Sequence, residues 1–159
     1  MHRVVVRECG EIGVPCEYEL DLRKTDIKDC LGCWSCWLKT PGRCVHSDLN
    51  EFYKAYLSAQ KVVIFSKVSH GFVSGNLKTL FDRMIGLYLP YLTFKSGESM
   101  HVRRYEKYPE VELYYEGEFS SPEDEKIYVD YIHRVFYHFY STCNIVKPIA
   151  QFPTEEIQR

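Results

Sequence analysis

Long apolar runs are missing from this chain, and with them the usual means of crossing a bilayer. The N-terminus lacks the extended apolar core of a secretion signal. An excess of one charge is missing as well. The formal net charge is −2, which gives no electrostatic case for binding nucleic acid or an anionic membrane surface. No repeat, low-complexity tract or linker interrupts the 159 residues, so they read as one domain over 1–150 with a tail at 151–159. A balanced set of cysteines is also absent. Seven is odd, and four of them are spaced C-x2-C, which argues against a secreted disulfide framework and for a reducing, cytoplasmic setting.

What the chain does have is a cluster of thiols. Cys30, Cys33, Cys36 and Cys44 read C-x2-C-x2-C-x7-C within one polar loop, with Gly32 free to bend between the first two. Soft thiolates gathered this way suit zinc, copper(I) or iron–sulfur centres. The triplet with a distant fourth cysteine leans toward a 4Fe–4S cluster, since zinc sites more often use two separated C-x2-C pairs. Four unliganded cysteines are the alternative. A thiol–disulfide pair at Cys33 and Cys36 is a weaker candidate. That motif is normally set at a helix N-terminus near a βαβ pattern, and here a third cysteine crowds it. The 13 tyrosines among 15% aromatic residues fit an aromatic interface or cofactor pocket.

Periodicity divides the rest. Residues 1–14 read as the last turns of a helix, fraying at Gly10 and Gly13 ahead of Pro15; a short strand at Val4-Val5-Val6 is the alternative. Cys16, Tyr18, Leu20 and Leu22 alternate as one face of a strand. Ser47 resembles a helix cap, and Leu49, Phe52, Tyr53, Tyr56 and Leu57 share a helical face. Val62-Val63-Ile64-Phe65 has the pattern of a buried parallel strand. A helix is predicted from near Asn76 to Pro90, with Leu77, Leu80, Phe81, Met84, Ile85 and Tyr88 as its core stripe. Thr93–Pro109 reads as irregular and basic, with Arg103 and Arg104 solvated. Val111–Glu116 is a strand, Ser121-Pro122-Glu123-Asp124 starts a helix, and Asn144–Ile149 is a last short strand. The alternation predicts an α/β layer fold with a mostly parallel sheet. Ligands of such sheets bind beyond the carboxyl ends of the strands, so the cysteine loop and the Ser66–Ser74 loop are expected on one rim.

Two strings carry a resemblance. Asp26-Ile27-Lys28-Asp29-Cys30-Leu31-Gly32-Cys33-Trp34-Ser35-Cys36 resembles the segment after the second strand of flavodoxin-fold NAD(P)H-dependent FMN reductases, and more narrowly of iron–sulfur flavoproteins. Ser74-Gly75-Asn76-Leu77-Lys78-Thr79-Leu80-Phe81-Asp82-Arg83 resembles the start of one of their helices, and Gly97-Glu98 with Arg104–Pro109 a later segment of one branch. The resemblance implies a flavodoxin-like three-layer α/β/α fold and an FMN site. It places Ser66, Val68, Ser69, His70, Gly71 and Phe72 along the flavin ring, NAD(P)H as electron donor, and a homodimer or tetramer. Lys78, Asp82 and Arg83 are expected as surface or half-buried polar groups rather than catalytic ones.

The family opens with a strand and a Gly-Ser-x-Arg-type loop that holds the FMN phosphate at a helix N-terminus. No such loop occurs here. Only nine residues separate Val6 from Cys16, fewer than a parallel crossover ordinarily needs, so the first strand is expected to be missing and the FMN site weak or partial. Two functions compete. One is a flavin-dependent oxidoreductase or electron-transfer protein, with FMN passing electrons to a centre at the cysteines and with Trp34 and Trp37 shielding it. The other is a non-enzymatic flavodoxin-like remnant, or a zinc-binding interaction protein, that has lost the phosphate site. The partners expected are a redox protein or a nicotinamide nucleotide, with neither nucleic acid nor membrane.

Overall fold

The computed structural model describes residues 2–153. Its core is a parallel sheet of β1 (Arg3–Arg7), β2 (Tyr18–Asp21), β3 (Lys61–Ser69), β7 (Glu110–Glu116) and β8 (Cys143–Pro148), in the order β2-β1-β3-β7-β8. Counted along the chain, the five strands lie 2-1-3-4-5, the order of flavodoxin-like doubly wound sheets. A two-residue strand β4 (Phe72–Val73) folds back antiparallel on the end of β3. The helices are α1 (Ser35–Leu38), α2 (Asn50–Ser58), α3 (Gly75–Arg83) and α4 (Pro122–His138). A separate hairpin pairs β5 (Tyr88–Lys95) with β6 (Glu98–Arg103). Among the described residues no helix is long and apolar enough to cross a membrane.

The first strand is present, which corrects both the helical reading of residues 1–14 and the expected loss. Val4-Val5-Val6 forms the centre of β1, paired parallel with Tyr18–Leu20 on one side and Val62–Ile64 on the other. All five residues of β1 are buried, which is why its sequence shows no alternation. The objection from length fails because the crossover contains no helix. A five-residue strand is roughly 17 Å long, and ten extended residues reach about 33 Å. Residues 8–17 therefore return to the start of β2 as irregular chain, where the Glu17 N–H donates to the Arg3 carbonyl at 3.0 Å.

The two faces of the sheet are covered differently. Val4, Val6, Leu20, Val62, Ile64, Val111, Leu113 and Tyr115 pack under α2, α3 and α4 in the larger core. Val5, Val63, Phe65 and Tyr114 face the other way, under Cys9, Ile12, Val14, Ile149 and Phe152. Among the described residues this third layer is irregular chain and one 3-10 turn rather than helix. Phe152 falls within the expected tail at 151–159, and it is buried edge-on against Phe65 and Tyr114. Residues 154–159 lie outside the described residues.

Arg7 holds the irregular crossover down. Its guanidinium donates to the carbonyls of Gly10 at 3.2 Å and Ile12 at 2.9 Å, pairs with Glu19 at 3.3 Å, and lies over the Phe65 ring. α4 is built as the sequence predicts: the Ser121 hydroxyl accepts from the Asp124 N–H at 3.1 Å, with Pro122 at the first position. The predicted helix over 76–90 ends early, at Arg83, and continues as a 3-10 turn, Met84–Leu87. The segment 93–109 is irregular only over 104–109: residues 93–103 belong to the hairpin, because Ser96 and Gly97, at φ 52° and 82°, make a two-residue turn that reverses the strand. Arg104 is not solvated either: it donates to the carbonyls of Gly86 at 3.2 Å and Tyr88 at 3.3 Å.

Replacing Arg7 with Met is expected to cost about 1.5–3 kcal/mol, the range for hydrogen bonds to a charged group. Urea unfolding measures the loss. Amide exchange at Glu8 and Glu17, whose N–H groups bond the Phe65 and Arg3 carbonyls, should rise before that of Val4–Val6; an unchanged rate there would show that Arg7 does not hold the crossover.

Candidate functional site

The cysteine loop is positioned by one buried cation. Arg83 ends α3 with its side chain fully buried and pairs with Asp48 at 2.6 Å and 3.1 Å. The same guanidinium donates to the carbonyls of Lys28 and His46. The Lys28 N–H donates to Asp48 at 2.9 Å, and the Tyr53 hydroxyl donates to the Arg83 carbonyl at 2.9 Å. Both ends of the loop, at Lys28 and at His46–Asp48, are thereby stapled to the end of α3. Asp82 takes no part; it faces solvent and pairs with Lys78 at 2.5 Å. The Arg83 hydrogen bonds hold the Asp48 carboxyl down at about 2. Burial is the largest single influence on Arg83 and opposes its charge, and the Asp48 hydrogen bonds together with the charges of Tyr53, Cys44 and Asp48 more than offset it.

Stapled in this way, the loop roofs a cavity of about 570 Å³ whose floor is the outer faces of α3 and α4. All four loop cysteines line it, together with Trp34, Trp37, Phe81, Tyr131 and Phe139. Trp37 is fixed by its indole N–H donating to the Tyr88 carbonyl at 2.9 Å and by stacking on His101. Trp34 meets it edge-on at 5.9 Å and remains 64% exposed, whereas Trp37 is half-buried in the cavity wall. The basic side chains at the margin are already partnered: Lys78 by Asp82 and Arg134 by Glu98, while His138, whose protonation burial disfavours, donates a hydrogen bond to Glu98.

The thiols are not equivalent. Cys30 and Cys33 are exposed, whereas Cys36 and Cys44 are half-buried, and all four are free. The Ser35 hydroxyl and N–H lower the Cys33 thiol from its ordinary value, while burial, followed by the charge of Cys44, raises that of Cys36. They share a cavity wall without forming a ligand shell: among the described residues no three His, Cys, Asp or Glu side chains converge to hold a metal ion. The expected metal set of Cys30, Cys33, Cys36 and Cys44 is thus brought to one cavity but not to one point.

The residues expected along a flavin ring lie elsewhere. Ser66 is buried and its hydroxyl bonds that of Tyr128 at 2.7 Å. Val68 and Ser69 pair with Val73 and Phe72, and His70 and Gly71, at φ 52° and 73°, form the two-residue turn between them. Phe72 stacks on Tyr131 at 4.6 Å, the single link from this hairpin to the wall of the cysteine-lined cavity. Beside the hairpin, Glu8 fills the space beyond β1. Its carboxylate accepts from the Lys67 N–H at 3.0 Å and from the Ser74 hydroxyl, while Ser74 itself caps α3 through the Leu77 N–H at 3.0 Å. Burial raises the Glu8 carboxyl above its ordinary value. The residues present therefore do not fit the phosphate half of FMN. No helix follows β1, and the helix N-terminus beside that position already carries a carboxylate. Glu8 and Ser74 were not singled out from the sequence. A Ser one residue before a predicted helix is a cap signal, but the reach of Glu8 depends on β1 being central.

No protein-family model matches the chain, and no curated protein does. Solved structures do. The azoreductase AzrA superposes with a TM-score of 0.58 at 15% identity, covering 99% of this chain and 93% of its own. An azoreductase from Bacillus anthracis str. Sterne gives 0.58 at 16% identity over the same shares. An FMN-dependent NADH-azoreductase from Bacillus anthracis str. Ames Ancestor, solved in complex with FMN, gives 0.51 at 12% identity, again over 99% and 93%. At such identities the likeness is one of fold, and with the strand order it makes this chain a flavodoxin-like α/β protein.

Arg83→Met should destabilise by about 3–5 kcal/mol, the cost of stranding a buried partner charge. The Asp48 contribution also has a pH signature. Its folded value lies below the ordinary 3.8, so the stabilisation is complete above 3.8 and is lost as pH falls toward about 2. Asp48→Asn should flatten that part of a urea-midpoint titration. A variant that loses stability in parallel with the native protein over this window would show that the pair does not carry the acid limb.

Proposed function

We propose that this chain is a flavin-dependent oxidoreductase or electron-transfer protein that takes a flavin by its ring, with a nicotinamide nucleotide as electron donor. The observation that carries the reading is the cavity. It falls within the roughly 300–1,000 Å³ typical of small-molecule sites. Its aromatic walls at Trp34, Phe81 and Phe139 suit a flat ring, and its thiols lie beside them. The printed descriptions of two neighbours support the class: one is an FMN-dependent NADH-azoreductase, and another, at a TM-score of 0.50 and 11% identity, is an NADH:FMN oxidoreductase. A flavin supplies the electron-accepting chemistry when bound. This chain's share is to hold the ring and keep water from it. Contacts from Ser66, Val68, Ser69, His70, Gly71 and Phe72 reduce to those at the hairpin tip, since the backbone groups nearer its base are paired with one another. A 4Fe–4S cluster or zinc at the cysteines would require the loop to rearrange around it and is not needed for this reading. A homo-oligomer fits the exposed Leu31, Trp34 and Leu38 at the cavity and Tyr91, Leu92 and Phe94 on the hairpin.

A second reading is favoured by Glu8. A carboxylate built into the end of α3 is what a flavodoxin-like protein without FMN, acting by binding a partner, would tolerate. The two separate in one titration. Charge-assisted hydrogen bonds to a phosphate contribute on the order of 1.5–3 kcal/mol each, and their absence removes the advantage of FMN over riboflavin. Riboflavin and FMN should therefore quench tryptophan fluorescence with similar dissociation constants, and Trp34→Ala should weaken both. A strong preference for FMN would contradict the ring-only site. Failure of both ligands to bind would transfer the case to the non-enzymatic reading.

A further inference from the structure

The loop thiols carry a feature that the flavin reading does not use and that stands without it. Cys33-Trp34-Ser35-Cys36 straddles the start of α1, in the connection that follows β2 of a parallel sheet. That is the setting whose expected absence counted against a dithiol pair. The backbone folds over at Trp34, which adopts the left-handed conformation at φ 60°, ψ 5° with nothing in its side chain to favour it. Such strain persists only where surrounding structure enforces it, and it gathers at functional sites. Cys36 lies one turn on, seated on Gly86: a Cβ added to Gly86 would come within 3.0 Å of the Cys36 Cβ. One thiol is exposed, the next is half-buried, and both open on the same aromatic cavity. Cys33 lies just outside α1 and Cys36 within it, and the C-x2-C spacing is the one at which two thiols pair and exchange.

We propose that Cys33 and Cys36 form a redox-active dithiol that reduces low-molecular-weight disulfides entering the cavity. The Cys33 sulfur attacks one sulfur of the incoming disulfide. The substrate S–S bond breaks, and the departing sulfur takes up the proton that Cys33 gives up. The Cys36 sulfur then attacks the Cys33 sulfur; the mixed disulfide breaks, and the second substrate thiol leaves with the proton from Cys36. One substrate disulfide becomes two thiols, and two protein thiols become one Cys33–Cys36 disulfide, a two-electron exchange with no other reactant. The exposed thiol attacks and the half-buried one resolves, because Cys33 is the more accessible of the pair to a molecule in the cavity. Cys30 and Cys44, on the same wall, are the competing resolving thiols.

The test uses the full chain, reduced with dithiothreitol, freed of reductant and exposed to glutathione disulfide, with peptide mass spectrometry as the readout. The native protein should end with a Cys33–Cys36 bond and no glutathione. Cys36→Ser should retain glutathione on Cys33. In that variant Cys33 should react at least about tenfold faster than Cys143, whose thiol is pushed up to about 12 by burial. Cys33→Ser should take up no glutathione at Cys36. Native protein mapping provides the result even if a variant fails to fold. A dominant bond from Cys36 to Cys44, glutathione accumulating on Cys30 instead, or thiols that stay reduced would each overturn the assignment. So would stoichiometric zinc, or iron with sulfide, found on the four thiols of the protein as isolated.

Discussion

The arrangement depends most on the Arg83–Asp48 pair. A guanidinium has five N–H donors in a rigid fork, and burying it is tolerable only if most of them are used. Here the two terminal nitrogens serve one carboxylate and two backbone carbonyls, from segments that are far apart in sequence, while the buried Nε has no partner among the described residues. The loop between Lys28 and His46 leaves Leu31, Trp34, Leu38 and Val45 exposed and contains only the four-residue helix α1, so burial alone would not fix it. The cation at the end of α3 fixes it instead. The cavity, the asymmetry of its thiols and the seating of Trp37 follow from where that fork places the loop ends.

A second constraint acts at the opposite side of the sheet. The flavodoxin-like strand order is kept while the first crossover is reduced to ten irregular residues. Dropping the helix removes the N–H groups that would face a phosphate, and it leaves the sheet face above Val5 and Phe65 without a helical cover. Arg7, Cys9, Val14 and Phe152 take over that cover, and Glu8 occupies the end of α3. The thiol-lined cavity lies away from the strand ends, against α3 and α4.

Much of this was legible in the residues. Val62–Phe65 reads as a buried parallel strand because it is one, and the Ser121-Pro122 cap and the stripe from Tyr128 to Phe136 give α4 directly. The cysteine spacing marks the loop that walls the cavity. What failed depends on long-range partners. A five-residue strand buried on both faces has no period, so β1 was indistinguishable from a helix end. Arg83 beside Asp82 suggested a local surface pair, whereas its partner lies 35 residues away. Ser66–Phe72 looked like an open ligand loop because Ser-His-Gly is a weaker turn signal than Asn-Gly, and only the pairing of Val68 with Val73 shows that it closes on itself. Arg134 and His138 reach the cavity from the side of α4 where periodicity gives only solvated residues, and Tyr131 reaches it from the helix's apolar face.

The most direct test is amide hydrogen exchange on the native protein and on Arg83→Met, under conditions where both are folded. The Lys28, Lys39 and Arg43 amides, bonded in the native loop, should be protected and should lose that protection in the variant. Val4–Val6 and Val62–Phe65 in the sheet should keep theirs. Equal protection of the loop amides in the two proteins, or loss across loop and sheet together, would contradict a loop held in place by this one cation.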